Sequence, residues 1–592
     1  MYKKNKIVWH RNALLLVSLI TTACLSVNTA ANEFEDLAYL PSIYSLLLND
    51  PQGGIANTVD SDEQAVNFLL AASFGPTDDS VNELKELGYS AWFKRQLALP
   101  INSLQDETNQ RQINDDNPED DDACLLHERF SREAWFKFAV TNEDQLRQRV
   151  AFALSQIFVV ATQENVVRCK PLMQGHYMDV LQEGAFGNFR DLLEDVSYHT
   201  FMAIWLTYIN NAKANPVTGS APDENYAREI MQLFTIGLVE LNMDGTPKLD
   251  NNGDEIESYT QEDVTELAKV FTGLHRAGEE FGSFNGFFNN PSDILRLEMD
   301  NDFHSPGPKV VLGHTIPEYS DGNRSISDAL DILAEHPNTA PFIAKHLIQR
   351  LTTSNPSPSY VSAAAQAFKS GSFRLPDGSS IGSRQYGDLK ATVAAVLFFE
   401  EARSDRRFEN TDFGNHYGKV REPILRFTHW ARVSDVTKFS LPWFSVDATV
   451  LGRLGQDLPL RARSVFNFFR PGYVEAGSET ARANLVAPEL QIEFGPNMIM
   501  YANAIRSFIL RTPENSDAYY PNYEKFGLLE RAATSQGIVD YYNLIYTGNR
   551  LHPETIESMI ETLDTIHESD SALRLLVATI MITNTIEYKT QK

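Results

Sequence analysis

The stretch DENYAREIMQLFTIG (223–237) carries the densest set of residues able to do chemistry. Read as a helix, it places Tyr226, Ile230, Leu233 and Phe234 on one apolar face. Glu224 and Arg228 then stand at i and i+4, the acid-first order that favours an ion pair, and Glu229 follows directly. Downstream, Asp263, His304 and Lys309 add a carboxylate, an imidazole and an amine. Two carboxylates and a histidine can hold a divalent cation, or divide general acid and base roles. The catalytic candidates are therefore Glu224, Glu229, His304, Asp263 and Lys309. Asn210 and Asn211, just ahead of the helix, offer amides to a polar substrate, and Arg228 would organise the carboxylates. A divalent metal fits this set, with its identity open. The plainer reading uses the same residues to build the fold. Arg228 is then clamped by Glu224 and Glu229 inside a helical bundle, and His304 is a loop residue satisfied by backbone carbonyls.

Other motifs of known chemistry are missing. There is no GxSxG elbow, no HExxH, no Walker A loop and no GxGxxG following a strand. DNNGDE (250–255) has oxygen side chains in calcium-like alternation. An EF-hand needs Gly at the sixth loop position and Glu at the twelfth, where this chain has Glu255 and Gln261. A hairpin turn explains the same residues. Arg426, His429 and Arg432, at three-residue steps after Arg421-Glu422-Pro423, read as a solvated basic face. In SVFNFFRPGY (464–473) the phenylalanines read as packing and Arg470 as a turn anchor.

The elements that must position these residues are mainly helical. LRQRVAFALSQIFVV has apolar residues at three- and four-residue steps, with Arg147, Arg149 and Gln156 between them. DLKATVAAVLFFEEAR (388–403) is apolar nearly all round. TAPFIAKHLIQRL (339–351) opens on Thr339 as an N-cap and tolerates Pro341 in its first turn. Further helices are expected at 62–73, 79–98, 223–236, 261–273, 486–511, 527–547 and 553–587. Asp244-Gly245 and Asn252-Gly253 punctuate short alternating stretches over 238–259, as hairpin turns do. The fold expected is mostly α, a multi-helix body with a small β-hairpin insertion near 238–259. The main helical body spans 62–475, after an extension at 32–61, and a C-terminal helical part of the same region spans 476–592.

The first residues read as an address. Lys3, Lys4, Lys6 and Arg11 precede an apolar run from Ala13 to Val27, then Thr29-Ala30-Ala31. This is a signal peptide over 1–31, its run shorter than the roughly 20 residues needed to span a bilayer. A lipoprotein anchored at Cys24 is the minor alternative. No other segment reads as membrane-spanning. An exported chain would keep Cys124 and Cys169, a candidate disulfide closing a loop worth roughly 4 kcal/mol in the chain-entropy model. The 592 residues carry 51 Lys and Arg against 79 Asp and Glu, a net charge of −28. That balance argues against nucleic acid, which needs a basic face. The run DDNPEDDD (115–122) is read as a solvated acidic loop.

A resemblance covers nearly the whole chain. QAVNFLLAASFGPTDDSVNELKELGYSAWFKRQL (64–97), LRQRVAFALSQIF, ENYAREIMQLFTIGL, YTQEDVTELAKVFTG, FHSPGPKVVLG, HPNTAPFIAKHLIQRL, RSVFNFFRPGY, APELQI and TNTIEYKTQ resemble, in order, the bacterial family catalogued as domain of unknown function 1800. The resemblance implies export without an established activity. It also implies a neighbouring exported partner from a second uncharacterised family with a sulfatase-like fold. The chain departs from the family's pattern at Phe234, where His is usual, and at Asn210, where Asp is usual. Ser305-Pro306-Gly307 likewise stands where Asp-x-Gly often follows the histidine. A family site built on those positions would be altered here.

Two functions follow as expectations. One is an exported interaction or scaffold component of the cell envelope or secreted fraction, with a polysaccharide as a possible ligand. The other is a metal-assisted or carboxylate-based hydrolase acting on an extracellular polymer.

Overall fold

A computed structural model describes residues 56–113, 124–162, 165–284, 289–319, 321–409, 411–436, 454–456, 459–512 and 520–592. The signal-peptide segment, Cys24, the acidic run 115–122 and the extension up to residue 55 lie outside the described residues. Gly54–Lys592 forms one compact unit. It is mostly helical, and its strands occur only as short antiparallel pairs.

The helices that frame the candidate residues are α1 (Asp62–Ala72), α2 (Cys124–Thr141), α3 (Gln145–Ser155), α4 (Asn165–Arg168), α5 (Pro171–Gly184), α6 (Asn225–Glu229), α7 (Gln261–Val270), α8 (Gly322–Glu335), α9 (Thr339–Leu351), α10 (Pro358–Ser370), α11 (Leu389–Phe398), α12 (Pro423–Val433), α13 (Gly495–Ile509), α14 (Ser535–Thr547) and α15 (Ser571–Ile582). The strand pairs are β1 (Leu274–His275) with β2 (Glu298–Met299), β3 (Lys309–Val311) with β4 (His314–Ile316), β5 (Phe373–Arg374) with β6 (Ser380–Ile381), and β7 (Lys419–Val420) with β8 (Thr590–Gln591). The last pair sets Lys419 opposite Gln591, which ties the C-terminus to the middle of the chain.

One apolar core runs from Val59 to Tyr588. Every residue of α3 is buried, its arginines and glutamines included. It packs on α5 and α9, while α9 also lies on α10 and α10 on α11. At the far end of the chain, α14 packs on both α1 and α15.

Several expected helices are real but interrupted. The helix expected over 79–98 breaks into Asp78–Leu87 and Tyr89–Ala98 at Gly88, whose φ of 73° a side chain would resist. Helix α9 has the expected bounds, but Asn338 is its N-cap residue and Thr339 turns its hydroxyl back to the Leu333 carbonyl. Between 238 and 259 the chain pairs antiparallel through isolated bridges, Val239 to Glu257 and Leu249 to Glu255 among them. The expected turn residues Gly245 and Gly253 have φ of 76° and 89°. No helix of the described residues is long and apolar enough to cross a membrane.

The expected solvated face at 426–432 is overturned. Arg426 and His429 are fully buried and Arg432 nearly so. Arg432 donates to the Gly75 and Val140 carbonyls at 2.7 and 2.8 Å, and a Cβ at Gly75 would collide with the His429 ring. Helix α12 lies against α2, so Arg432 caps backbone carbonyls and Arg426 pairs with Glu493 instead of meeting water. Phe468 and Phe469 pack with Ile492, as expected.

Candidate functional site

The segment 223–237 starts as helix α6 and widens at once into a π-helical turn, Ile230–Thr235, where the Thr235 hydroxyl donates to the Ile230 carbonyl at 2.6 Å. Tyr226 is buried under it, stacked on Tyr208 with ring centroids 4.0 Å apart. π-turns of this kind carry an extra residue per turn and re-aim the side chains beside them.

The expected Glu224–Arg228 pair forms, at 3.3 Å. Glu224 also accepts from Gln261 Nε2 at 2.7 Å and Thr265 Oγ1 at 2.8 Å, and Arg228 donates to Gln261 Oε1 at 3.1 Å. Both charged side chains remain more than a third exposed, so the pair contributes about 1 kcal/mol or less. Its structural effect is to fasten α6 to α7.

Glu229 is elsewhere. It is buried, its Oε2 meets no hydrogen-bond partner among the described residues, and Arg228 does not clamp it. Burial raises its pKa against the weaker opposing pull of Arg228. An acid whose folded pKa is raised stabilises the fold when protonated, and that contribution is lost as pH rises through the folded value. Glu229→Gln stays neutral throughout. It is therefore expected to melt higher than wild type at pH 7, with the difference vanishing near pH 4, read by thermal denaturation at both values.

Asp263 closes a capping box with Thr260 at the start of α7, and its Oδ1 accepts the Leu312 N–H at 2.7 Å. Burial alone would raise its pKa, but these hydrogen bonds outweigh it and hold the carboxyl below its usual range. The residue thus pins the β3–β4 turn onto α7. Asp263→Ala is expected to cost about 1–2 kcal/mol, measurable as a lower urea midpoint.

His304 and Lys309 do meet, as a sealed pair. His304 Nδ1 lies 2.9 Å from the Thr272 carbonyl, which can only accept, so the ring carries its proton there. Nε2 is left to accept from Lys309 Nζ at 3.1 Å. The ammonium also donates to the Ser305 carbonyl at 2.9 Å, with Ser325 Oγ beside both groups. Burial lowers both pKa values, and Lys309 depresses His304 further. At 5 % and 1 % exposure neither faces an open cleft. The expectation of a loop histidine satisfied by backbone carbonyls is met at Nδ1.

Asn210 and Asn211 are latches. Asn210 has φ of 58°, a conformation Asn tolerates better than most residues. Its Oδ1 accepts the Gly282 N–H at 2.9 Å. Asn211 exchanges bonds with the Asp223 backbone, accepting at 2.9 Å and donating at 3.3 Å. Asp250 likewise turns inward, accepting from the Asn252 and Asp254 N–H groups, which is the hairpin turn expected for DNNGDE. Among the described residues, no group of three or more His, Cys, Asp or Glu could hold a metal ion.

The densest buried charge lies where the sequence reading did not place it. Arg149 on α3, Arg350 on α9, Lys419 on β7, Glu422 before α12 and Glu489 in the turn Pro488–Gln491 interact as one cluster. All five are buried. Lys419 pairs with Glu489 at 3.1 Å and donates to the Gln349 and Arg350 carbonyls. Glu422 Oε2 accepts from Gln156 at 2.8 Å and from Gln456 at 2.5 Å. Arg149 donates through Nη2 to the Arg350 carbonyl at 2.6 Å, while Nε and Nη1 find no partner among the described residues. Burial pushes its pKa down to about 10. Glu422 Oε1 and Glu489 Oε2 are also unpartnered there. The available signal was the run of polar residues, Arg147, Arg149 and Gln156 among them, set between the apolar positions of α3 and its C-cap.

Every member of this cluster lies inside the stretch matched by a known family model, residues 67–588, described as "Protein of unknown function (DUF1800)". The chain belongs to that family. No curated protein and no solved structure matches this DUF1800 chain. Its ENYARE segment, its His304–Lys309 pair and its buried charge cluster are thus all parts of the family region.

Proposed function

We propose that this DUF1800 protein is an exported interaction or scaffold component of the cell envelope or secreted fraction. The observation that carries the reading is the use made of the candidate site residues. Glu224 and Arg228 fasten α6 to α7, Asp263 caps a helix, and His304 and Lys309 bond each other out of reach of solvent. Export rests on the signal-peptide pattern over 1–31, with the lipoprotein at Cys24 as the alternative anchor. A Cys124–Cys169 disulfide fits an exported chain. It is supported by the full burial of Cys169 and by α4 packing on the helix that begins at Cys124. The partner proposed is the neighbouring exported protein of sulfatase-like fold, and the ligand an envelope polysaccharide.

The test is fractionation of cells expressing the full chain, followed by co-elution with that partner and retention on envelope polysaccharide. The reading expects the protein outside the cytoplasm and retained equally as wild type and Glu229→Gln. Cytoplasmic protein that binds neither would overturn it.

A second reading, the hydrolase acting on an extracellular polymer, keeps one supporting observation. A buried carboxyl with raised pKa and a free oxygen, such as Glu229, is the kind of group that serves as a general acid. Polymer cleavage abolished by Glu229→Gln would favour it.

A further inference from the structure

A cavity of about 560 Å³ opens beside the outer face of α9, between the 236–241 segment and the 471–486 loop. In a protein with 79 acidic residues, none of the residues lining it is Asp or Glu. Its lining includes the apolar side chains of Leu238, Val239, Phe342 and Leu485, together with Lys345 and His346. Lys345 is exposed and has no carboxylate partner among the described residues. His346 stacks edge-on against Phe342 with centroids 4.2 Å apart. Its Nδ1 and the Oγ of Ser354 are buried at this cavity with no hydrogen-bond partner among the described residues. A buried polar atom without a partner is unfavourable, and this cavity is lined by two residues that carry one together with a lysine, a set suited to an acceptor.

The floor adds to the same polarity. Gln349 lines the cavity, and its carbonyl receives Lys419 of the buried cluster, where Arg149, Arg350 and Lys419 outnumber Glu422 and Glu489. Burial, with Arg350 and Lys345 nearby, lowers the His346 pKa to about 3, so the ring is neutral and its Nδ1 can present a single proton.

We propose that this cavity binds a monocarboxylate with an apolar body, the carboxylate held by Lys345 Nζ, His346 Nδ1–H and Ser354 Oγ–H. A single lysine in the lining suits one negative charge, and the apolar side chains suit a hydrocarbon or aromatic body better than a hydrated phosphate. The same chemistry is offered by a free organic acid and by the C-terminus of an apolar peptide. This inference goes beyond the interaction reading and does not depend on it, since neither export nor a partner enters the argument.

The test is calorimetric titration of the full chain with phenylacetate, with N-acetyl-Ala-Phe, and with neutral phenylacetamide. At least one acid should bind, and phenylacetamide about tenfold or more weaker, the loss expected for a charge-assisted hydrogen bond. Binding of phenylacetate alone identifies a free acid, and of the peptide alone a chain terminus. Lys345→Met should weaken binding about tenfold or more. Leu238→Glu, at an exposed position, should abolish it by placing a like charge in the mouth, with melting unchanged in both variants. The proposal is overturned if the amide binds as tightly as the acids, if Lys345→Met binds unchanged, or if neither acid binds at roughly 10 mM.

Discussion

Glu422→Ala is expected to lower stability by about 3–5 kcal/mol, the largest loss predicted for any single change in the chain. Glu422 is fully buried, and its Oε2 is the shared acceptor for Gln156 and Gln456. Removing it leaves two amides without an acceptor and three buried cations facing Glu489 alone. Uncompensated buried charge is what makes breaking such clusters costly, whereas replacing all the charged partners together by apolar residues is often nearly neutral. Arg149→Met is therefore the informative contrast. It removes a cation from a set in which cations are in excess, and with it two donor atoms that find no partner. Its cost should be much smaller than that of Glu422→Ala. Chemical denaturation of both variants decides the matter, and equal losses would mean that packing volume, not charge balance, governs the cluster.

His304→Ala carries the second large effect, about 3 kcal/mol from the emptied volume and the stranded ammonium together. Lys309 has no carboxylate partner among the described residues, so the histidine Nε2 and the Ser305 carbonyl take most of its hydrogen bonds. The double variant His304→Ala with Lys309→Met should recover part of the loss, because no buried charge is left behind. A double-mutant cycle on melting temperatures reads this coupling directly. Strict additivity of the two changes would contradict a direct bond between the side chains.

These effects explain what could be read along the chain and what could not. Helix α9 was legible because its apolar period and its proline in the first turn agree, although its cap residue is Asn338 and not Thr339. The turns at Gly245 and Gly253 were legible because Asp-Gly and Asn-Gly are turn residues for a conformational reason. The break at Gly88 was not, since a helical period continues across it and only the positive φ reveals the stop. The burial of Arg426 and His429 was hidden for a different reason. A period of three marks one face of a helix, but it does not tell whether that face meets water or the carbonyls of another segment. Long-range pairing was the least accessible feature. Gln156 and Glu422 stand 266 residues apart, and nothing local to either announces the other. The ENYARE segment shows the middle case. Its i, i+4 ion pair formed as its spacing requires. Glu229 stays out of that pair because adjacent residues of a helix do not face each other, and no spacing rule for an α-helix anticipates the π-turn over Ile230–Thr235.

The central claim is that Glu224 serves the fold and that neither Glu224 nor Glu229 holds a divalent cation. It is tested most directly by melting the full chain and its Glu229→Gln variant at pH 7, with and without a divalent cation. The account predicts that Glu229→Gln melts above wild type and that magnesium, calcium or zinc shifts neither protein. A cation that raises the wild-type melting temperature and loses that effect in Glu229→Gln would contradict it, and would place Glu229 in a metal site.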